Sequence, residues 1–157
     1  TLVADLGCGT GHYCEYWTKH GWTVHGYEGN EDAIKNKVHD VVNKIDLSRN
    51  INPLITDCLN WNYDLVTCLE VGEHIPKIYQ DVFIDNLVKF TEKTLILSWA
   101  VPKQGGRGHV NCLPNETVVK LFTDKGLSYN EPMSKFLRDN SEFNFFKNTI
   151  MVFDKNE

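Results

Sequence analysis

Leu2-Val3-Ala4-Asp5-Leu6-Gly7-Cys8-Gly9-Thr10-Gly11 is an apolar run that passes directly into a loop with glycine at every second position. Such a run reads as a buried strand handing over to a helix. Gly7, Gly9 and Gly11 remove side chains at the handover, so the backbone can turn sharply and a ligand can lie against the main chain. Asp5 stands two residues before the first glycine, which fixes a carboxylate at the strand's carboxyl end.

The run Asp5-Leu6-Gly7-Cys8-Gly9-Thr10-Gly11 resembles the first motif of the class I S-adenosylmethionine-dependent methyltransferases. The resemblance implies a cofactor lying on Asp5, Gly7, Cys8, Gly9 and Gly11. The competing reading is a nicotinamide or flavin dinucleotide site, whose G-x-G-x-x-G fingerprint also follows a first strand. Counted from Gly7, its third small position falls on His12, and counted from Gly9 it falls on Cys14. Neither register fits, and the dinucleotide reading has no use for Asp5.

Composition sets the bounds. The 157 residues suit one domain with a real core, and 41% hydrophobic with 11% aromatic residues is a globular rather than a disordered balance. No apolar run approaches the roughly 20 residues of a membrane span. The net charge of −5 argues against a fold drawn as a whole to nucleic acid. Starting at Thr1, the chain reads as a trimmed core, with any substrate-covering amino-terminal helices expected outside it. The five cysteines (Cys8, Cys14, Cys58, Cys68, Cys112) include no C-x-x-C pair, which suits free thiols in a reducing, cytoplasmic setting. His109-x-x-Cys112 alone offers too few ligands for a metal, and none is expected.

Strand and helix signals alternate along the chain. A helix is predicted over 12–20 and a strand over 22–27. A short helix over 31–38 and a strand over 41–47 follow. The strand over 63–69 is the strongest after the first. The helix over 78–90 carries Val82, Phe83, Leu87 and Val88 inward. A strand over 94–99, a helix over 115–124 and a last strand over 149–153 complete the set. This order predicts an α/β fold with a doubly wound, mostly parallel Rossmann-like sheet of about seven strands and helices on both faces. Ligands then bind at the strands' carboxyl ends.

Glu28 lies 19 positions past Gly9, before Gly29 at the end of the second strand. A carboxylate there can accept both hydroxyls of an adenosine ribose, although a solvated turn glutamate is the plainer alternative and a dehydrogenase would use the same acid. For the adenine, Asp46-Leu47 competes with Asp57. In the methyltransferases this chain resembles, a loop and short helix separate that acid from the next strand. Asp64 follows Asp46 by 18 positions and Asp57 by only 7, so the spacing favours Asp46 and Leu47.

Residues 64–76 read Asp64-Leu65-Val66-Thr67-Cys68-Leu69-Glu70-Val71-Gly72-Glu73-His74-Ile75-Pro76. This stretch looks like the fourth-strand motif of the same superfamily, and it would bring Leu69 and Glu70 beside the methionine half of the cofactor. His74 is then a catalytic candidate or a brace for the following helix. The 99–114 segment carries Gly105, Gly106 and Gly108 with Lys103, Arg107 and His109. It reads as a lid or a solvated connector, with His109 the second catalytic candidate.

The N-P-P-Y tetrad that holds a flipped base is absent, and no cysteine follows a proline, so DNA is not the expected substrate. The expected function is methyl transfer from S-adenosylmethionine, with S-adenosylhomocysteine as product, to a small-molecule acceptor. A cofactor-binding protein without catalysis, or a dinucleotide-binding domain, is the alternative.

Overall fold

Leu2–Leu6 forms β1, the third strand of a seven-stranded sheet. The structure is a computed structural model that describes residues 1–51 and 62–156. After β1 come α1 (His12–Lys19), β2 (Thr23–Glu28), α2 (Glu31–Lys35), β3 (Val42–Lys44) and β4 (Tyr63–Cys68). The second half contains α3 (Gln80–Phe90), β5 (Thr91–Ser98), α4 (Asn115–Thr123), β6 (Leu127–Tyr129), α5 (Glu131–Asp139), α6 (Phe146–Thr149) and β7 (Ile150–Lys155).

The strand order is β3-β2-β1-β4-β5-β7-β6, parallel except for β7, which runs antiparallel to both neighbours. This is the doubly wound α/β arrangement expected from the alternation. The chain winds outward from β1 in one direction and from β4 in the other. A crevice therefore opens above the carboxyl ends of β1 and β4, where ligands bind in such sheets.

Alternation along β1 feeds two cores. Ala4 and Leu6 point to the larger one, with Tyr27, Val66, Leu95, Leu97 and the inward faces of α3 and α4. Val3 points the other way, to Val24 and Cys14 of α1. In α3 the buried stripe is Phe83, Ile84, Leu87 and Phe90. Truncating one such phenylalanine to alanine would cost about 3–5 kcal/mol.

Several boundaries move. The predicted strand over 41–47 is paired from Val42 to Lys44, with the Ile45 amide still donating to the Glu28 carbonyl at 2.9 Å, before Asp46 and Leu47 leave for a turn in which Ser48 N–H donates to Asp46 Oδ1 at 3.0 Å. The predicted helix over 78–90 starts at Gln80, behind a 3-10 turn at Lys77–Tyr79, and Val82 and Val88 are only half-buried. Instead Asn86 is buried, donating to the carbonyls of Leu47 and Arg49. The strand over 94–99 begins at Thr91.

Candidate active site

The glycine loop is pinned to the second strand. The amides of Gly7 and Cys8 both donate to the Tyr27 carbonyl, at 2.7 and 3.1 Å. Gly7 has φ +78°, and a Cβ there would lie 2.4 Å from Val71 Cγ2, so neither the backbone nor the space admits another residue. At Gly9 a Cβ would meet nothing, because this glycine faces the open crevice.

A cleft of about 630 Å³ lies over this loop. One wall is Gly7, Gly9 and the Glu28-Gly29-Asn30 turn, a second is Ile45-Asp46-Leu47, and a third is Glu70, Val71, His74 and Ile75, with Arg107 at the mouth. Of the residues singled out from sequence, Gly7, Gly9, Glu28, Gly29, Asp46, Leu47, Glu70 and His74 line it. Asp5, Cys8, Gly11, Leu69 and His109 are not among its lining, and Asp57 lies outside the described residues. The sequence assigns no site role to Asn30, Ile45, Val71 and Ile75, and it marks Arg107 only as a polar residue of the 99–114 segment. Adjacency to Glu28, Asp46, Glu70 and His74 was the only sequence signal for the first four.

Glu28 is held at both oxygens. Oε2 accepts the Gly9 amide and Oε1 the Asn30 amide, each at 2.7 Å. A carboxylate has about four lone-pair sites, so two remain for hydroxyl groups in the cleft. Asp46 accepts from Ser48 N–H and Oγ–H through Oδ1 and from Arg49 Nε–H through Oδ2.

Asp5 sits behind the loop, 2% exposed, accepting from Thr67 Oγ1–H at 2.8 Å. Burial pushes its carboxyl up to about 6, against the lowering effect of the Thr67 and Cys14 hydrogen bonds. It braces β1 against β4 beneath the cleft.

The β4 end is built differently. Glu70 has φ +56°, a left-handed conformation that a non-glycine residue adopts only where its surroundings enforce it. Its amide donates to Ser98 Oγ, whose hydroxyl returns to Glu70 Oε1, while Gln104 Nε2–H donates to Oε2. Glu73 follows in a 3-10 turn and is fully buried. Neither of its carboxylate oxygens has a hydrogen-bond partner among the described residues. Burial, with Glu70's charge beside it, pushes this carboxyl up to about 7.

The 99–114 segment folds back onto this turn. The amides of Val110 and Asn111 both donate to the Glu73 carbonyl, at 2.8 and 3.0 Å. Trp99 is fully buried against Gly72, and its Nε1–H donates to the Asn111 carbonyl at 2.7 Å. His109 therefore reaches His74, with ring centroids 5.0 Å apart, and its Nε2 lies 3.9 Å from Glu73 Oε1. The structure thus joins the two histidines named from sequence with Glu73, which the 64–76 motif puts at the entrance to the site beside Glu70 and His74.

Residues 3–89 match the family described as the methyltransferase domain, and the chain belongs to that family. No curated protein matches it. Among solved structures, one similar fold is magnesium protoporphyrin IX methyltransferase from Synechocystis PCC 6803 with bound S-adenosylhomocysteine. It is 20% identical with a TM-score of 0.72, and the match covers 99% of this chain and 74% of that one. Another is a putative methyltransferase from Bacillus halodurans, 13% identical with a TM-score of 0.69, covering 99% of this chain and 93% of that one. Among the described residues, no helix is long and apolar enough to cross a membrane.

Proposed function

We propose that this chain is a single methyltransferase core that moves a methyl group from S-adenosylmethionine to a small-molecule acceptor. The observation that carries the reading is the cleft itself, which joins the side-chain-free loop at Gly7 and Gly9 to the Glu28 carboxylate at a topological switch point. In this reading Glu28 accepts the ribose hydroxyls, Asp46 and Leu47 meet the adenine, and Glu70 faces the methionine half. Cys8, Gly11 and Gly29 shape the loop and turn, Leu69 supports Glu70, and Asp5 positions the loop from behind.

The sulfonium is already an activated leaving group, so the protein supplies alignment and, for a weakly nucleophilic acceptor, a way to remove a proton. In this reading His74, on the cleft wall, and His109, whose ring packs against it, take that task, and Arg107 adds a cation to the lining. The domain's net charge of −5 and the 630 Å³ cleft favour a small molecule over DNA. The free thiols at Cys8, Cys14, Cys68 and Cys112 support a reducing, cytoplasmic setting.

The test has two arms. S-adenosylhomocysteine at 100 times its Kd should stabilise the protein by about 2.7 kcal/mol and raise the melting temperature, whereas NAD should not. Stabilisation by NAD alone overturns the cofactor. An acceptor screen with a labelled methyl donor then separates an enzyme from a binding protein. With the acceptor found, His74→Gln or His109→Gln should lower the rate at saturating acceptor about 10²–10⁴-fold while S-adenosylhomocysteine affinity holds.

A further inference from the structure

We propose that Glu73, His74 and His109 form a binding site for a divalent transition-metal cation at the acceptor end of the cleft. Their ligand atoms all lie within 4.8 Å of one another, although His109 comes from a loop 35 positions beyond His74.

Three independent features of the protein point to a cation there. The first is Glu73, a fully buried carboxylate 3.9 Å from His109 Nε2, with no well-formed hydrogen bond on either oxygen among the described residues and only the nearby Glu73 and Ala100 amides to offset its burial. A buried carboxylate so weakly paired is costly, and a bound cation removes that cost. The second is the orientation of both imidazoles. His74 Nδ1 meets the Gly108 carbonyl at 3.0 Å and His109 Nδ1 meets the Gln104 carbonyl at 3.3 Å. A carbonyl can only accept, so these contacts favour a proton on each Nδ1 and a lone pair on each Nε2, with the Cys112 thiol also 3.8 Å from His109 Nδ1. Metal-ligating histidines are held in just this way by a backbone carbonyl. The third is the loop that carries them. A Cβ at Gly106 would lie 2.1 Å from His109 Nε2, and one at Gly108 would lie 3.3 Å from His74 Nδ1. The loop's two missing side chains are what leave room for the rings.

Metal–nitrogen and metal–oxygen bonds of about 2.0–2.2 Å place tetrahedral ligand atoms about 3.4 Å apart. The 3.9 Å between His109 Nε2 and Glu73 Oε1 thus needs only a small closure, and His74, exposed to solvent, keeps its Gly108 tether as it joins them. Two imidazoles with one carboxylate suit manganese, iron, cobalt or zinc rather than magnesium or calcium, which prefer all-oxygen sets. Three protein ligands leave coordination positions open, and one of the three, His74, lines the cleft.

The use of this site in methyl transfer rests on the function proposed above; the binding of the cation does not. With the cation bound, the two imidazoles are ligands and no longer bases: an acceptor hydroxyl coordinated there loses its proton to solvent, and its oxygen then forms the bond to the methyl carbon. The carbon–sulfur electron pair stays on sulfur, giving the neutral thioether.

The whole chain, stripped with EDTA, is titrated with Co²⁺ and followed by visible d–d absorption, with S-adenosylhomocysteine binding measured on the same samples. One cobalt per chain is expected, with affinity reduced at least 10-fold in His109→Gln and in Glu73→Gln and unchanged in His20→Gln. Should Glu73→Gln fail to fold, His109→Gln and His74→Gln carry the test. Mg²⁺ at equal concentration should not displace the cobalt. Absence of cobalt binding by the folded wild type, or wild-type affinity in His109→Gln, overturns the site, and displacement by Mg²⁺ overturns the cation class. Loss of S-adenosylhomocysteine binding with cobalt retained counts against the cofactor reading and leaves the metal site standing.

Discussion

The Glu28 carboxylate accepts the Gly9 amide at 2.7 Å, so the end of β2 and the glycine loop after β1 are locked to each other before any ligand arrives. The same carboxylate takes the Asn30 amide through its other oxygen. A ribose that uses the remaining lone pairs therefore meets a preset surface rather than one it must organise.

Replacing Glu28 by alanine should weaken S-adenosylhomocysteine binding by about 2–4 kcal/mol, because charge-assisted bonds to two hydroxyls are lost together. Isothermal titration calorimetry measures it directly. An unchanged Kd would mean that the ribose is held elsewhere.

Asp46→Ala should reduce cofactor affinity by about 1–2 kcal/mol through one lost hydrogen bond to the adenine amino group. Asp57→Ala should leave the affinity alone. The opposite pairing of results would transfer the adenine role to Asp57.

Asp5 has a stability consequence whose sign follows from its raised pKa. The folded state holds this proton more tightly than the unfolded chain, with a pKa of about 6 against 3.8. The carboxyl's favourable contribution is complete below pH 3.8 and is lost as pH rises to about 6, a change of about 3 kcal/mol. Urea unfolding of wild type and Asp5→Asn should therefore show the variant gaining on wild type by roughly that amount between pH 4 and pH 7. A difference that stays constant across this range would show that the carboxyl titrates at its ordinary value in the folded protein.

Gly72→Ala would put a Cβ 2.4 Å from the Trp99 ring, which is fully buried and tethered to the Asn111 carbonyl. The ring cannot give way, so the variant should lose about 1–3 kcal/mol or more. In a chain of this size each kcal/mol lowers the melting temperature by about 2–4 °C. A melting temperature equal to wild type would show that the ring and the loop it anchors move readily.

The parts of this fold legible in the sequence were those where two local signals coincide. At β1 an apolar run meets three alternating glycines, and at β4 a buried strand meets a motif ending in Glu70. The 127–148 region gave no such signal. β6 is only three residues long, and Asn130-Glu131-Pro132 reads as a loop although it is the capped start of α5. The α5 pattern also misleads, since Met133 and Phe136 are exposed while Ser134 is buried. Ser134 earns that place through hydrogen bonds, donating to the Asn130 carbonyl and accepting the Val152 amide. At the site, spacing pointed to Glu28 and Asp46 and the fourth-strand resemblance to Glu70, and all three line the cleft because strand ends converge there. The meeting of Glu73 with His109 depends on a loop doubling back onto a 3-10 turn, and no periodicity encodes that path.

The order of strands also bears on how the protein behaves in a crowd of its own copies. The two outermost strands, β3 and β6, are only three residues long each, while the eight-residue β5 and six-residue β7 lie inside the sheet. An incoming strand from another molecule finds little unpaired backbone to template on at either margin. The late antiparallel insertion of β7 thus caps the sheet against edge-to-edge aggregation, leaving the long hydrogen-bonding ladders where no neighbour can reach them.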